Sequence, residues 1–124
     1  MKAVHVSGEQ SMKQPGSQRT WGSQVWMATR ALTGSSLSLT RMILTKGQSG
    51  EAHRHSNADE VIYLVKGKAE VHAGDEVFSL DATDTLAIPG GLPHQIHNPG
   101  SEDAELIICY STGDRAYTPE AVVK

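Results

Sequence analysis

The chain has 124 residues, 38% of them hydrophobic, and a formal net charge of -3 with histidine counted as neutral. This length is typical of one domain. No apolar run approaches the ~18 residues that a membrane span requires, so we do not expect the chain to cross a membrane. The chain has no surplus of Lys and Arg of the kind that binds phosphates, so we do not expect nucleic acid as a partner. Residues 1–6 lack the apolar stretch and cleavage site of a secretory signal, which predicts a cytoplasmic protein.

The pattern of apolar segments predicts an all-β domain between two polar ends. Residues 1–20 are rich in Gly, Ser and Gln and are predicted to form an arm. From residue 25 onward, short apolar segments alternate with turn residues, and none sustains a helical period. The predicted strands are 25–30, 37–44, 51–55, 60–66, 68–72, 76–80, 85–88, 93–98 and 104–110. The domain is assigned to residues 21–112. Residues 113–124 form a tail in which Thr118-Pro119 is compatible with a short helical turn or a frayed end.

Two glycine-containing turns predict hairpins. Lys66-Gly67-Lys68 separates the apolar run 61–65 from the strand at 69–72, and Gly74 separates the latter from the strand at 76–80. No helix is long enough to cover a sheet face, so nine strands must bury their apolar sides against one another. This requirement predicts an antiparallel barrel or sandwich.

One short window combines two histidines with a glutamate. His53 and His55 are two residues apart in a predicted strand, so the strand period places both imidazoles on one face. A pair of this kind is by itself more typical of a surface than of a metal site. Glu60 changes the interpretation, because it begins an otherwise apolar strand, where a carboxylate is costly unless it is paired or binds a metal.

A second window, residues 89–98, reads PGGLPHQIHN. Its glycines and prolines indicate a tight turn that leads into a strand at His94. Strand alternation puts His94 on the same face as Ile96 and puts His97 on the opposite face with Gln95. We therefore predict that His94 is a metal ligand and that His97 is structural or exposed.

Together the two windows resemble the two sequence motifs of the cupin superfamily. The first motif is matched at every defining position, namely Gly47, His53, His55, Glu60 and Gly67. The second motif is matched at Pro89, Gly91, His94 and Asn98. Thr83 stands where the second motif has its leading glycine, which puts the backbone shape of one turn in question, although it removes no ligand.

The resemblance implies a single antiparallel β-barrel of the cupin type (jelly roll, double-stranded β-helix) over residues 21–112. It also implies that one divalent metal ion is bound inside the barrel by His53, His55, Glu60 and His94. Three imidazoles and a carboxylate suit Fe, Mn, Ni, Zn, Co or Cu without deciding among them. Four protein donors leave two positions of an octahedral ion open, as a catalytic site requires. Strand register decides which other side chains face the interior, and it is left open for Arg41, Tyr63, Gln95 and Tyr110.

The implied function is that of a metal-dependent enzyme on a small anionic or enolisable substrate. Dioxygenase-type oxidative cleavage, an oxidoreductase reaction, is the preferred hypothesis, with Glu60 as the catalytic base. The same ligands would serve a non-redox isomerase, epimerase, decarboxylase or lyase. A cupin that binds or senses a small ligand without turnover is the third alternative. We also expect a homodimer, paired through sheet edges or by exchange of the arm at residues 1–20.

Overall fold

Two antiparallel β-sheets face each other and enclose the core. The computed structural model describes residues 2–120. The strands are β1 (Gln18–Arg19), β2 (Gly22–Ala28), β3 (Ser38–Leu44), β4 (His53–Arg54), β5 (Glu60–Lys66), β6 (Lys68–Ala73), β7 (Glu76–Asp81), β8 (Thr85–Ile88), β9 (His94–His97), β10 (Ala104–Tyr110) and β11 (Thr118–Pro119). Two short helices, α1 (Gly8–Met12) and α2 (Arg30–Thr33), lie near the N-terminus. Neither helix has the length or the apolar run needed to cross a membrane.

One sheet has the strand order β1-β2-β3-β10-β5-β8, and the other has the order β11-β4-β9-β6-β7. Every pair of neighbouring strands is antiparallel. The predicted all-β antiparallel fold is therefore confirmed, and each of the nine predicted strands has a counterpart.

Strand alternation builds the core. In β5, β3 and β10, every second side chain is buried between the sheets. Ile62 and Leu64 are fully buried on the inner face of β5, and Leu106 of β10 lies beside Leu64 in the sheet. Glu60 lies on the same inner face as these residues and is only 2% exposed. The sheet therefore directs one carboxylate into an apolar interior.

The predicted hairpin at Gly67 is wrong. β5 pairs with β10 and β8 in one sheet, whereas β6 pairs with β7 and β9 in the other. Gly67, at φ 88°, carries the chain from one sheet to the other. A Cβ atom there would lie 3.0 Å from the Cα atom of Ala104, so the close approach of the two backbones also requires a residue without a side chain. The second predicted hairpin, between β6 and β7, is confirmed.

Both polar ends contain elements that the sequence pattern did not predict. In the arm, the Ser7 side chain accepts a hydrogen bond from the Gln10 backbone and caps α1, while β1 pairs with β2 of the same chain. In the tail, residues 118 and 119 form β11, which pairs with β4, so the helical turn at Pro119 is wrong. Proline has no N–H to donate, and it suits this position because an edge strand forms backbone hydrogen bonds on one side only. Residues 121–124 of the predicted tail lie outside the described residues.

The turn between β7 and β8 holds a threonine, at the position of the motif glycine, in a left-handed conformation. Thr83 has φ 78°, the one positive value for a non-glycine residue among residues 2–120. Its backbone N–H donates to Leu64 O at 2.7 Å, and Asp84 N donates to Asp81 O at 3.0 Å. One tertiary hydrogen bond and one bond within the turn therefore hold Thr83 in a conformation that threonine disfavours.

Candidate metal centre

Four side chains from both sheets converge at one point of the interior. His53 lies in β4 and His55 follows that strand, Glu60 begins β5 of the opposite sheet, and His94 begins β9. His53 and His94 face each other across the β4–β9 pair. One nitrogen of each imidazole and one carboxylate oxygen all lie within 4.8 Å of one another. The structure thus brings together the four residues that the sequence predicted as metal ligands.

Backbone carbonyl groups orient all three imidazoles. The Nδ1 atoms of His53, His55 and His94 lie 2.7, 2.8 and 2.9 Å from the carbonyl oxygens of Glu51, Ala116 and Leu92. A carbonyl oxygen only accepts hydrogen bonds, so each Nδ1 carries the proton and donates it. Each Nε2 therefore keeps a lone pair. This is the tautomer that a histidine ligand needs, fixed by a partner beyond the metal.

The lone pairs of the imidazoles face a carboxylate oxygen, an arrangement that suits a bound cation. Glu60 Oε1 lies 3.3 Å from His55 Nε2 and 2.8 Å from His94 Nε2, and these three buried atoms have no other hydrogen-bond partner. Acceptors buried this close together repel unless a metal ion or a second proton lies between them. The donor set of three imidazoles and one carboxylate suits a divalent transition metal. The four side chains can therefore hold one such ion.

The pKa values of the cluster follow from the same contacts. Burial lowers the pKa of His53 from 6.5 to about 4, so this imidazole is neutral at pH 7, as a ligand must be. Burial would raise the pKa of Glu60, but hydrogen bonding to His55 and His94 outweighs it and lowers the pKa to about 2. For His94, the hydrogen bond and charge of Glu60 outweigh burial and raise the pKa.

A cavity of about 320 Å³ opens onto the cluster. His53 and Glu60 form part of its wall, and Tyr110 lies beside them, 3% exposed. Burial, together with the charge of Glu60, raises the pKa of Tyr110, which keeps its hydroxyl protonated. The rest of the wall combines apolar and charged side chains, namely Arg19, Trp21, Gln24, Met42, Glu51, Ile96, Ile108, Arg115 and Tyr117, with Gly50. The cavity has room for a small organic molecule in contact with the cluster.

The segment of residues 111–120, here the C-terminal segment, closes one side of the site. Asn57 fixes it with two hydrogen bonds, from its amide nitrogen to Asp114 O at 2.9 Å and from Ala116 N to its amide oxygen at 2.7 Å. Tyr117 stacks on the His53 ring at a centroid distance of 4.7 Å. Its hydroxyl donates to Glu51 Oε2 at 3.0 Å. The C-terminal segment therefore belongs to the wall of the site.

Sequence reasoning missed Arg115 and Tyr117 of this wall. These two residues are two positions apart in an extended segment, and this spacing puts both side chains on the same side of a strand. That spacing was the available signal. It was too weak to use because the segment has no apolar alternation of its own.

The structure also places the residues whose orientation the sequence left open. Tyr110 faces the cavity, while Gln95 donates its side-chain amide to Gly50 O at 2.9 Å. Arg41 lies outside, paired with a glutamate on β10, and Tyr63 is 38% exposed. His97 lies outside the cluster, with Nδ1 at 2.7 Å from Ser49 Oγ.

The fold and the site define a class of protein: a jelly roll of two antiparallel sheets with a three-histidine, one-glutamate cluster that can hold a metal. A family profile described as "Cupin domain" matches residues 40–110, which is more than half of the chain. The chain belongs to the cupin family. The likeness that the two sequence motifs indicated is thereby confirmed.

Several curated proteins share sequence similarity with this chain. The protein MJ1618 of Methanocaldococcus jannaschii is 29% identical over 76 residues, which are 61% of this chain and 61% of that protein. The polyketide synthase CurC of Streptomyces cyaneus is 34% identical over 65 residues, 52% of this chain and 42% of that protein. The tetracenomycin polyketide synthase protein TcmJ of Streptomyces glaucescens is 31% identical over 86 residues, 64% and 58%. The chain thus spans less than two thirds of the length of each.

Among solved structures, the oxalate decarboxylase of Bacillus subtilis at pH 4.6 matches with a TM-score of 0.81 at 19% identity. The match covers 89% of this chain and 30% of that chain. At this identity the likeness shows a shared fold.

Proposed function

We propose that this protein is a divalent-metal-dependent enzyme that acts on a small, anionic or enolisable organic molecule, with oxidative cleavage by dioxygen as its reaction. The observation that carries the proposal is the convergence of the three Nε2 lone pairs and the Glu60 carboxylate on one point at the wall of a cavity. A closed structural site would give an ion four protein ligands and no access. This cluster has access on the cavity side.

Each protein group has a distinct task in this proposal. His53, His55 and His94 are the neutral ligands, held by backbone carbonyls in the tautomer that presents Nε2. Glu60 is the anionic ligand, and its second task is to accept the proton that leaves the substrate carbon when an enolate forms. A bound divalent ion would supply Lewis acidity toward the enolate oxygens and, if redox-active, a path for electrons to dioxygen.

The relatives support the enolisable class of substrate. CurC and TcmJ carry polyketide synthase names. A polyketide chain alternates carbonyl and methylene groups, so its β-dicarbonyl units lose a proton easily and the resulting enolate offers two oxygens to a metal. With Glu60 as a ligand, a divalent ion at the cluster keeps one net positive charge, which favours a bound anion over a neutral molecule. The apolar residues of the cavity wall, among them Met42 and Ile108, would exclude water from the carbanion carbon.

The test is oxygen consumption by protein reconstituted anaerobically with Fe(II), Mn(II), Ni(II), Co(II), Cu(II) or Zn(II). Acetylacetone and related β-dicarbonyl compounds are the substrates. We expect uptake of dioxygen that depends on both substrate and a redox-active metal and that disappears in His94→Ala. His97→Ala is the matched control on the same strand and should retain uptake.

Other outcomes would replace the reaction. Substrate conversion in the absence of oxygen, with Zn(II) as active as Fe(II), would overturn oxidative cleavage in favour of isomerisation, epimerisation, decarboxylation or elimination. Tight binding of the same compounds without any conversion would overturn the enzyme assignment in favour of a ligand-binding cupin.

A further inference from the structure

Arg115 is a half-buried cation in the cavity wall, and its Nε atom is buried. Its guanidinium carbon lies 4.8 Å from the centroid of the Trp26 ring and 5.2 Å from the centroids of both Tyr110 and Tyr117. Three aromatic faces thus hold the group in one place. Among residues 2–120, no carboxylate lies within salt-bridge distance of Arg115, and its buried Nε has no hydrogen-bond partner.

This arrangement differs from that of the arginines outside the cavity. Arg41 is paired with Glu105 at 3.0 Å, and Arg54 is paired with Glu120 at 2.9 Å. A guanidinium carries five N–H donors in a planar fork that matches a carboxylate. An anion that enters the cavity can supply the partner that this buried N–H lacks.

The position of Arg115 defines what that anion must look like. The ring of Tyr117 contacts both the guanidinium of Arg115 and the imidazole of His53. The cavity wall contains two arginines and two glutamates, so a bound divalent ion would leave the cavity positively charged. A ligand that reaches both the cluster and Arg115 is a small molecule with oxygen donors at one end and an anionic group at the other.

We propose that Arg115 is the specificity-determining residue of this site and that it receives the carboxylate of a small substrate whose other end chelates the metal. This inference rests on the proposed function, because it takes the cluster as the metal end of the substrate site. It adds the substrate class: a carboxylate-bearing molecule with a 2-oxo acid or enolate head. Asn57 holds the backbone on both sides of Arg115 through Asp114 and Ala116, which fixes the position of the arginine.

The experiment measures binding without turnover. Protein loaded with Zn(II), which is redox-inert, is titrated calorimetrically with 2-oxoglutarate and with 2-oxovalerate, which share the metal-chelating 2-oxo acid head but differ in the distal carboxylate. We expect the wild-type protein to bind 2-oxoglutarate about 10- to 100-fold more tightly, the effect of one charge-assisted, bidentate pair. Arg115→Gln should remove this preference and leave the affinity for 2-oxovalerate unchanged. Arg115→Lys, which keeps the charge without the fork, should retain part of it.

Arg41→Gln is the matched control, because it removes an arginine that lies outside the cavity. It should keep the full preference. The inference is overturned if wild-type protein shows no preference or binds neither compound, or if Arg115→Gln keeps the wild-type ratio. Zinc content and melting temperature of each variant separate loss of the anion contact from loss of the fold. Because the ratio needs no catalysis, it stands or falls independently of the oxygen-uptake result.

Discussion

Thr83→Gly is predicted to stabilise the protein. Thr83 is exposed, its hydroxyl makes no hydrogen bond among the described residues, and its φ of 78° is unfavourable for a β-branched side chain. Glycine has no Cβ atom, so the substitution removes about 1–2 kcal/mol of steric strain while the backbone keeps its left-handed conformation. The more flexible unfolded chain of the glycine variant costs about 0.5–1 kcal/mol in return. The difference between the midpoints of these two ranges is a net gain of about 0.75 kcal/mol in the free energy of unfolding, and the Thr83 N–H bond to Leu64 is kept.

Thermal unfolding followed by circular dichroism tests this value. For a chain of this length, the gain corresponds to a rise in melting temperature of about 2–4 °C. Ala82→Gly is the matched control: Ala82 is exposed in the same turn without a positive φ, so its replacement should lower the melting temperature by a similar amount. If Thr83→Gly lowers the melting temperature as Ala82→Gly does, the left-handed strain at Thr83 is refuted.

Three further predictions concern the metal and the core. His94→Ala should reduce bound metal, measured by elemental analysis after reconstitution, from about one equivalent to a small fraction, whereas His97→Ala should keep it. Asn98→Ala should lower the free energy of unfolding in urea by about 2–4 kcal/mol, because the fully buried amide makes three hydrogen bonds to backbone groups. Gly22→Ala should lower it by about 3 kcal/mol or more, because its Cβ would lie 1.9 Å from Ile43 O and force β2 away from β3.

Each of these has an outcome that contradicts its reasoning. Equal metal content in the two histidine variants would show that the cluster is not the metal site. A change of less than about 1 kcal/mol in the Asn98 variant would mean that water replaces the lost amide. Near wild-type stability of the Gly22 variant would show that the β2–β3 pair can separate at its end at little cost.

Much of the fold was predictable because strand patterning is local. The short apolar runs in 60–66 and 104–110 located both strands without any tertiary information, whereas the alternation of buried side chains along them is seen only in the structure. Pairing is not local. The glycine turn at Gly67 is typical of a hairpin. However, β5 pairs with β10 and β6 pairs with β9, strands that are distant in the chain and belong to different sheets. Periodicity shows that a face is buried and leaves the identity of its partner strand open.

The candidate site divides along the same line. Spacing within the chain drew attention to the two histidine windows, because the strand period fixes where side chains point. The resemblance of these windows to the cupin motifs then implied that His53, His55, Glu60 and His94 form one metal site. The C-terminal segment was out of reach of such reasoning. Its position depends on hydrogen bonds to Asn57 and on a two-residue pairing with β4, contacts between residues more than fifty positions apart.

The sequence by itself therefore determined the strands, the four residues of the cluster and the chemistry of their donor atoms, all of which depend on residue type and local spacing. Only the tertiary structure decided which carbonyls hold the imidazoles in their tautomer, where the cavity lies and that Arg115 forms part of its wall. The reason is physical: side-chain direction follows from a strand's own period, whereas a cavity exists only between elements that the fold brings together.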